Sequence, residues 1–417
     1  MNPPVILPPA FDSVRHAVNH FWAAHLPEQT EDLSNTASFS RRITMEEIAA
    51  VKDHIKKHTI NSTKGADRIG YNTILNIDNE ELRILYQSCI DNCDAPLKWL
   101  TSYLAAIGKR GKDLSDPSNY RTIGLESCLV KFLTLLIDRR VREWADVNDK
   151  LPPSQNGFCA RFRTNNNAFI LRAAIEKAAA NGDTLYAAFV DLSNAFPSVD
   201  QPTLWRKLKD WGVSGPLIDW LRMLYARMTY VVDFDGKFVE SFSAFAGILI
   251  EDPASPILWN LYLADFRLPP DFSDIMLGGE AISHLEQAED IVLFSTTAEG
   301  LQQKLDQLVH WCGINFMTVN ADKSKFMLFN GPLPRVLPTL FLNGKILQIV
   351  SEYCYVGVIF RSTDRFIFGR HVQMRAKKSE NSSKCRAQPR GIYGSPSRMG
   401  SSNPVYGSSG PAPNLWS

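Results

Sequence analysis

Three acidic residues in two short segments are the side chains best suited to chemistry in this sequence. Asp191 ends the apolar run at 184–191, and Glu289 with Asp290 precedes the apolar run at 291–294. A carboxylate at the tip of a buried strand is costly unless it meets a cation or a base. Adjacent strand residues point to opposite faces, so Glu289 and Asp290 can share a cation only on a tight hairpin turn. Two structural alternatives stay open, a helix-capping Asp and a polar turn before a strand.

A third segment combines a turn with an apolar helix. Asp252 and Pro253 predict a turn or a helix start. The residues that follow repeat apolar side chains over 257–263, which predicts a buried helix. Taken alone, the segment is a helix with an N-terminal turn.

The elements that must position these residues alternate along the chain. Strands are predicted where short apolar runs occur, at 184–191, 291–294 and 325–329. Helices are predicted where apolar residues recur every three or four positions, from Thr44 onward and over 168–180, 202–211, 216–228 and 299–312. Thr44 with Glu47 also has the spacing of a capping box. The alternation predicts an α+β sandwich with helices on one sheet face.

The charge of the chain is balanced in total and uneven along its length. The 417 residues are 45% hydrophobic and include 45 Lys and Arg against 44 Asp and Glu, which gives +1. A large core is therefore available, and wholesale disorder is excluded. Residues 361–417 hold ten basic and two acidic residues, and residues 101–175 hold twelve and seven. Because basic surface is concentrated locally, the neutral total does not exclude a nucleic acid partner.

The cysteines and the chain start bear on the compartment. Seven scattered cysteines, without zinc-knuckle spacing to a His, predict buried reduced thiols in a reducing environment. The first residues lack a basic region, so no signal peptide is predicted, and no apolar run is long enough to predict a membrane span. An intracellular location is expected, and nucleus and cytoplasm are both compatible with the sequence.

Taken in order, these segments resemble the reverse transcriptase domain of LINE-like non-LTR retrotransposons. The matching motifs are Asp–x3–Ala–Phe at 191–196, a GDPxSP-like helix start at 250–256, a YADD-like hairpin at 287–290, N–x2–K–[ST]–K at 320–325 and a YLG-like segment at 353–357. Upstream are segments similar to APGPDGIP at 62–71, to KKG…NYRPISL at 108–131 and to QxGFxxxxxT at 155–167. The resemblance covers about residues 60–363.

The resemblance implies a right-hand polymerase fold of the α+β class. Its expected parts are a linker or upstream remnant at 1–40, fingers at 41–182, a ferredoxin-like palm at 183–363 and a truncated thumb start with a basic tail at 364–417. The thumb is thus expected to be largely missing. The composition from Lys377 onward, rich in Ser, Gly, Pro and basic residues, predicts disorder there.

The reaction implied by the resemblance is the synthesis of DNA on an RNA template. A DNA primer hydroxyl attacks the α-phosphate of a deoxynucleoside triphosphate, and pyrophosphate leaves. Asp191, Glu289 and Asp290 match the catalytic carboxylates that hold two Mg²⁺ ions, with Mn²⁺ as a substitute. The implied partners are therefore the RNA template, the DNA primer and the nucleotides, with no membrane.

The resemblance also assigns binding roles residue by residue. Phe196 matches the bulky residue that excludes a 2′-hydroxyl, and Ala195 is the small residue beside it. The basic residues expected near phosphates are Lys109, Arg121 and Lys323, with solvated surface bases as the alternative. The residues expected near template or primer are Gln287, Asp252, Pro253 and Ser255.

Four residues depart from the family pattern inside two of its functional motifs. Gln287 and Glu289 stand in the YADD-like hairpin, and Ile250 and Glu251 precede Asp252. Glu is one methylene longer than Asp, and a placement error near 1 Å costs on the order of 100-fold in rate. The departures predict impaired polymerase activity, with a catalytically inactive remnant that at most binds nucleic acid as the alternative. A metal-dependent nuclease would explain the acids but not the Phe or the Asp-Pro-x-Ser-Pro turn.

Overall fold

A computed structural model of the chain describes residues 36–116, 119–160, 162–234, 237–238, 240–331, 337–364 and 366–386. Its helices are α1 Thr36–Ser40, α2 Met45–His58, α3 Tyr71–Leu75, α4 Asn79–Asp91, α5 Cys128–Val147, α6 Thr164–Asn181, α7 Ala195–Ser198, α8 Gln201–Asp210, α9 Pro216–Arg227, α10 Ser255–Leu263, α11 Ala298–Ile314 and α12 Gly369–Arg386, with a 3-10 turn at Leu97–Leu100. Its strands are β1 Thr101–Gly108, β2 Tyr120–Leu125, β3 Leu185–Val190, β4 Thr229–Phe234, β5 Lys237–Phe238, β6 Phe242–Ser243, β7 Ile275–Leu277, β8 Glu280–Ile282, β9 His284–Gln287, β10 Asp290–Ser295, β11 Lys325–Phe329, β12 Phe341–Leu342, β13 Lys345–Ile346, β14 Gln348–Ile349, β15 Glu352–Tyr355 and β16 Val358–Arg361.

The strands form two five-stranded sheets and three small hairpins. In the first sheet, β1 pairs antiparallel with β2 and parallel with β4, while β5 and β6 both pair with β4. The second sheet has the order β14-β11-β3-β10-β9, and its three central strands are antiparallel. The chain is therefore a mixed α/β protein with several sheets.

The second sheet is covered on both faces, which differs from the expected single layer of helices. On β3, Ala188 and Val190 pack into a core that contains α10 and α11, and Ala187 and Phe189 pack into another that contains α6. The reason is in the strand sequences: β3 and β10 are apolar at consecutive positions, and such strands need cover on both sides. The expectation of helices on one face is therefore wrong.

Local signals in the sequence fix most element boundaries. Thr44 accepts a hydrogen bond from the Glu47 amide and Glu47 caps Thr44 in return, so the predicted capping box opens α2. Helix α6 ends where Gly182 takes a φ of +82°, which a glycine adopts without strain. That helix begins at Thr164, four residues before the predicted start. The strand at 325–329 has the predicted limits.

The ends of the described chain differ from expectation. Residues 36–40, expected in a linker, form α1, whose Phe39 is buried and lies 6.1 Å from Trp144 between ring centres. Helix α12 continues to Arg386, past Lys377, where the composition predicts that disorder begins. No Gly or Pro interrupts residues 370–386, and the helix-breaking composition begins only after them. Residues 1–35 and 387–417 lie outside the described residues.

The thiols and the helices also bear on the expected compartment. Six cysteines in the described residues are unpaired, and two of them, Cys93 and Cys354, are exposed rather than buried as predicted. Among the helices that the structure describes, none combines the length and the apolar character needed to cross a membrane.

Candidate functional site

Asp191 follows β3 directly, and hydrogen bonds to the 320–325 segment hold its backbone in place. The Asp191 amide donates to Ser324 Oγ at 3.0 Å, and the Asn320 amide donates to the Asp191 carbonyl at 2.8 Å. Ser324 is fully buried and donates its own hydroxyl to the Asn320 carbonyl at 2.6 Å. The Ser or Thr of the N–x2–K–[ST]–K motif therefore orients the backbone that carries Asp191.

Glu289 and Asp290 lie at the turn between β9 and β10. Ala288 has a φ of +57°, which allows the tight turn, and Asp290 pairs with Gln287 across it. On the other side of β10, Ile291 pairs antiparallel with Val190. Because Asp191 follows Val190 and Asp290 precedes Ile291, the two carboxylates stand at the same end of neighbouring strands.

The three carboxylates influence one another electrostatically. Burial raises the pKa of Glu289, a backbone hydrogen bond lowers it, and the charges of Asp290 and Asp191 raise it further. Desolvation also raises the pKa of Asp290, with the charge of Asp191 adding to the effect. Both groups therefore bind a proton more readily than ordinary carboxyl groups do, and a cation would compete with that proton.

The carboxylate oxygens of this site are the type of ligand that a hard divalent cation prefers. Asp191 Oδ2 is buried without a hydrogen-bond partner, and Lys323 Nζ lies 3.5 Å from it. The Lys323 ammonium is the cation that this oxygen meets in the structure, and a divalent ion would compete with it for the same oxygen. Within the described ranges, no three His, Cys, Asp or Glu side chains already form a metal-binding group.

These carboxylates line a cavity of about 830 Å³, and we refer to this cavity as the cleft. Eleven of the twelve residues predicted for the site line it: Asp191, Glu289, Asp290, Phe196, Ala195, Lys109, Arg121, Lys323, Asp252, Pro253 and Ser255. The remaining one, Gln287, lies at the end of β9, and its buried Oε1 has no hydrogen-bond partner. The structure therefore brings together residues from β1 to the 320–325 segment.

Phe196 is held by two other rings beside the carboxylates. It stacks on Trp259 with ring centres 5.2 Å apart and meets Phe158 edge-on at 6.1 Å. Trp259 is fully buried on α10, so Phe196 rests on a rigid surface. Ala195 beside it is buried and contributes little bulk to the cleft.

The turn that precedes α10 forms another wall of the cleft. Asp252 Oδ1 accepts from the Ala254 amide at 2.8 Å, and Ser255 Oγ donates to the Leu249 carbonyl at 2.6 Å. Glu251 has a φ of +64°, a conformation that favours glycine and strains other residues by about 1–2 kcal/mol. The Gly-to-Glu departure therefore falls where the backbone needs glycine.

Gln155 and Gly157 support the turn at 288–289 and were absent from the predicted site. Gln155 Nε2 donates to Glu286 Oε2 at 3.0 Å, and its Oε1 accepts from the Ala288 amide at 3.0 Å. A Cβ on Gly157 would lie 2.1 Å from the Ala288 nitrogen, so only glycine fits there. The QxGF-like motif was the sequence signal for both residues.

The basic residues of the cleft come from the first sheet and from α5. Arg121 on β2 pairs with Ile107 on β1, two residues before Lys109, so both bases lie at one end of that hairpin. Lys131 on α5 also lines the cleft, although it is mostly buried and was not predicted. Together with Lys323, which pairs with Asp191 at 3.5 Å, these side chains add positive charge to the cleft.

We expect Ser324→Ala to lower the free energy of unfolding by about 1–3 kcal/mol, because it leaves the Asp191 amide without its partner while the Asn320 carbonyl keeps only the Ser324 amide. The Asp191 amide should also exchange with solvent faster. Urea unfolding and amide hydrogen exchange measure the two effects. Ser324→Thr, which keeps the hydroxyl, is the matched control. Unchanged exchange at Asp191 in the Ala variant would show that the hydroxyl does not hold this backbone.

We expect Gln155→Ala and Glu286→Ala to be energetically coupled, because their side chains are hydrogen-bonded in a buried position. A double-mutant cycle by urea unfolding should give a coupling energy of about 0.5–3 kcal/mol. Gln155→Ala should also expose the Ala288 amide to exchange, whereas Glu286→Ala should leave it protected. Additive effects in the cycle would contradict the contact.

Comparison with known proteins agrees with this geometry. The profile of the family described as "Reverse transcriptase (RNA-dependent DNA polymerase)" matches residues 107–360. The chain is 27% identical over 258 residues to the "Retrovirus-related Pol polyprotein from type-2 retrotransposable element R2DM" of Drosophila melanogaster, covering 60% of this chain and 24% of that protein.

Two other relatives match over longer stretches. The "RNA-directed DNA polymerase from mobile element jockey" of Drosophila melanogaster is 26% identical over 340 residues, covering 79% of this chain and 36% of that protein. The "Probable RNA-directed DNA polymerase from transposon BS" of the same organism is 24% identical over 361 residues, covering 84% and 39%. The chain thus spans 24% to 39% of the length of these three relatives. The family match covers more than half of the chain, and the chain therefore belongs to the reverse transcriptase family, with a domain of the kind found in LINE-like, non-LTR retrotransposons.

Proposed function

We propose that this chain carries the RNA-directed DNA polymerase activity of a non-LTR retrotransposon protein, in an impaired form. The observation that carries the proposal is the position of Asp191 and Asp290 at the same end of neighbouring antiparallel strands, facing one cleft. Family membership gives the reaction class, since the family is one of RNA-dependent DNA polymerases.

We further propose a division of the chain into polymerase subdomains. The second sheet with α10 and α11 would be the palm, within 183–363, and the first sheet with α2 to α5 would be the fingers, within 41–182. Strands β4, β5 and β6 fall in the palm range but belong to the first sheet, so they would complete the fingers. Helix α12 would begin the thumb.

In this proposal, Asp191, Glu289 and Asp290 would hold two Mg²⁺ or Mn²⁺ ions. When bound, such ions lower the pKa of the primer hydroxyl and neutralise charge on the phosphates. The Asp191 backbone, fixed by Ser324, and the turn supported by Gln155 would keep the three carboxylates in position.

The other cleft residues would bind and select the nucleotide and the strands. Phe196 would exclude a ribose 2′-hydroxyl next to Ala195. Lys109, Arg121 and Lys323 would contact phosphates of the nucleotide or template. The residues proposed to face template and primer are Gln287, Asp252, Pro253 and Ser255.

Two departures from the family pattern support the impaired state. Glu289 extends one methylene further than the Asp of the family motif, so its oxygens would reach the ions from a displaced position. Glu251 has a strained backbone and adds negative charge to a cleft that would receive phosphates. Loss of catalysis, with nucleic acid binding retained, would be the extreme of the same effect.

The test is incorporation of labelled dTTP on poly(rA)/oligo(dT) with Mg²⁺. The restored protein carries Glu289→Asp, Gln287→Tyr, Glu251→Gly and Ile250→Gln. We expect it to extend the primer faster than the natural chain by on the order of 100-fold, because the carboxylates regain their positions. The control is Asp191→Ala in the restored protein, which should abolish extension.

The other outcomes of this assay are distinct. Equal rates for natural and restored proteins would contradict the impairment. Failure of both to extend, with template binding intact, would support the inactive remnant and contradict the polymerase. Mg²⁺-dependent cutting of the template that disappears in Asp191→Ala would instead support a nuclease.

We expect Phe196→Val in the restored protein to lower the preference for dTTP over UTP by on the order of 10- to 100-fold, because a smaller side chain leaves room for the 2′-hydroxyl. Single-nucleotide incorporation kinetics with each substrate measure the ratio. Phe196→Tyr keeps the bulk of the ring and should keep the preference. An unchanged ratio in the Val variant would remove Phe196 from nucleotide selection.

A further inference from the structure

Two buried acids other than the three carboxylates described above lie at the wall of the cleft. Glu126 follows β2 and is fully buried, and Asp252 precedes α10 and is 2% exposed. The end of β2 packs tightly against the turn before α10, since a Cβ on Gly124 would lie 2.4 Å from the Ile250 carbonyl oxygen. The two carboxyl groups are close enough for each to influence the other electrostatically. Asp252 lines the cleft, and Glu126 does not.

Three of the four carboxyl oxygens of this pair have no hydrogen-bond partner in the described part of the chain, and the Thr134 side chain is the neutral hydroxyl group nearest in effect to Asp252. Asp252 Oδ1 accepts from the Ala254 amide, but Asp252 Oδ2 and both carboxyl oxygens of Glu126 are buried without a hydrogen-bond partner. Two ionised carboxylates side by side in a buried position repel one another and lose hydration. A single proton turns one of them into a donor and gives the facing oxygen a partner.

The charges around the pair are balanced when the two carboxyl groups together hold one proton. Lys131 on α5 is the cation that acts on both acids, and it is mostly buried. One lysine balances one carboxylate, so the group is neutral when the pair keeps one proton. Asp138 on the same helix also acts on Asp252, but its own charge is paired with Arg142 at 2.8 Å.

The remaining groups that face the pair add no further cation. Glu251, on the same turn, adds a negative charge that acts on Glu126. Three tyrosines from other elements face the acids and stay neutral: Tyr71, Tyr225 and Tyr230. Burial is the main cause that raises their pKa values, and the nearby acids raise them further. Burial is the largest cause that raises the pKa of Glu126 well above its usual value, and burial raises that of Asp252 to about 6.

We propose that Glu126 is a positioning residue that keeps a proton in the folded protein and donates it to Asp252, so holding the 250–255 turn in the cleft wall. The proposed function gives this turn its place near template and primer, and the proton-sharing pair is independent of catalysis. The Ala254 amide and Ser255 hydroxyl fix the turn from its own side, and Glu126 fixes it from β2.

The pH dependence of stability has a defined sign. The folded pKa of Glu126 lies above its unfolded value of about 4.5, so the folded state binds more protons above that pH. The contribution of the shared proton to stability is therefore complete below about pH 4.5 and is lost as the pH rises through the folded pKa. One such proton changes the unfolding constant by up to about tenfold per pH unit.

The experiment compares urea unfolding of the full chain from pH 5 to pH 8 with that of Glu126→Gln. Gln keeps a donor toward Asp252 but cannot ionise. The change of the unfolding constant with pH should therefore be weaker in the variant, by up to about tenfold per pH unit. Glu280→Gln, at an exposed hairpin position, is the matched control and should keep the natural slope. An identical slope in Glu126→Gln and the natural chain would overturn the proposal.

Infrared spectroscopy gives a readout that does not require a variant with natural stability. The natural chain at pH 7 should show the carbonyl stretch of a buried protonated carboxyl group, and Glu126→Gln should lack it. Asp252→Asn removes the neighbouring charge and should weaken the band. A band that persists in Glu126→Gln would place the proton elsewhere and overturn the proposal. None of these readouts uses polymerase activity, so a failed primer-extension assay and a failed proton assignment are separate results.

Discussion

The antiparallel pairing of β3 with β10 is the constraint on which the candidate site depends. It fixes Ile291 opposite Val190, so the chain leaves one strand at Asp191 and enters the other at Asp290. A shift of one residue in this register would turn every apolar side chain of β10 to the other face, and both faces are packed. The carboxylate geometry is therefore set by burial of the sheet rather than by contacts among the acids themselves, which repel one another.

Contacts behind the strand ends then fix the backbone on which the acids sit. Ser324 pairs with the Asp191 amide, and Gln155 pairs with the Ala288 amide, both from buried positions. These supports are intact in a chain that departs from the family-like motifs at Glu251 and Glu289. Substitutions in the cleft leave the core packed, whereas substitutions in the supports would cost free energy of unfolding. This difference explains how the fold persists while the motifs diverge.

Sequence patterns predicted the elements better than the contacts between them. The strand at 325–329 and the capping box at Thr44 follow from local residues, and the structure has both. Coverage of the second sheet on both faces depends on where α6 packs, which periodicity in one segment does not specify. The Gln155–Glu286 hydrogen bond joins residues 131 positions apart, so no local pattern indicates it. Family resemblance supplied the residues of the cleft, and the strained backbone at Glu251 became visible only in three dimensions.

The close approach of Gly157 to the 288–289 turn has a consequence for how such domains can be recombined. A methyl group at residue 157 would collide with the Ala288 backbone, and the Gln155 side chain is fitted to Glu286. The segment before α6 and the hairpin of β9 and β10 therefore form one inseparable module, although the chain between them is long. A chimera of two related polymerases would keep this geometry only if the segment before α6 supplied Gln and Gly at positions 155 and 157 to a hairpin with Glu at position 286.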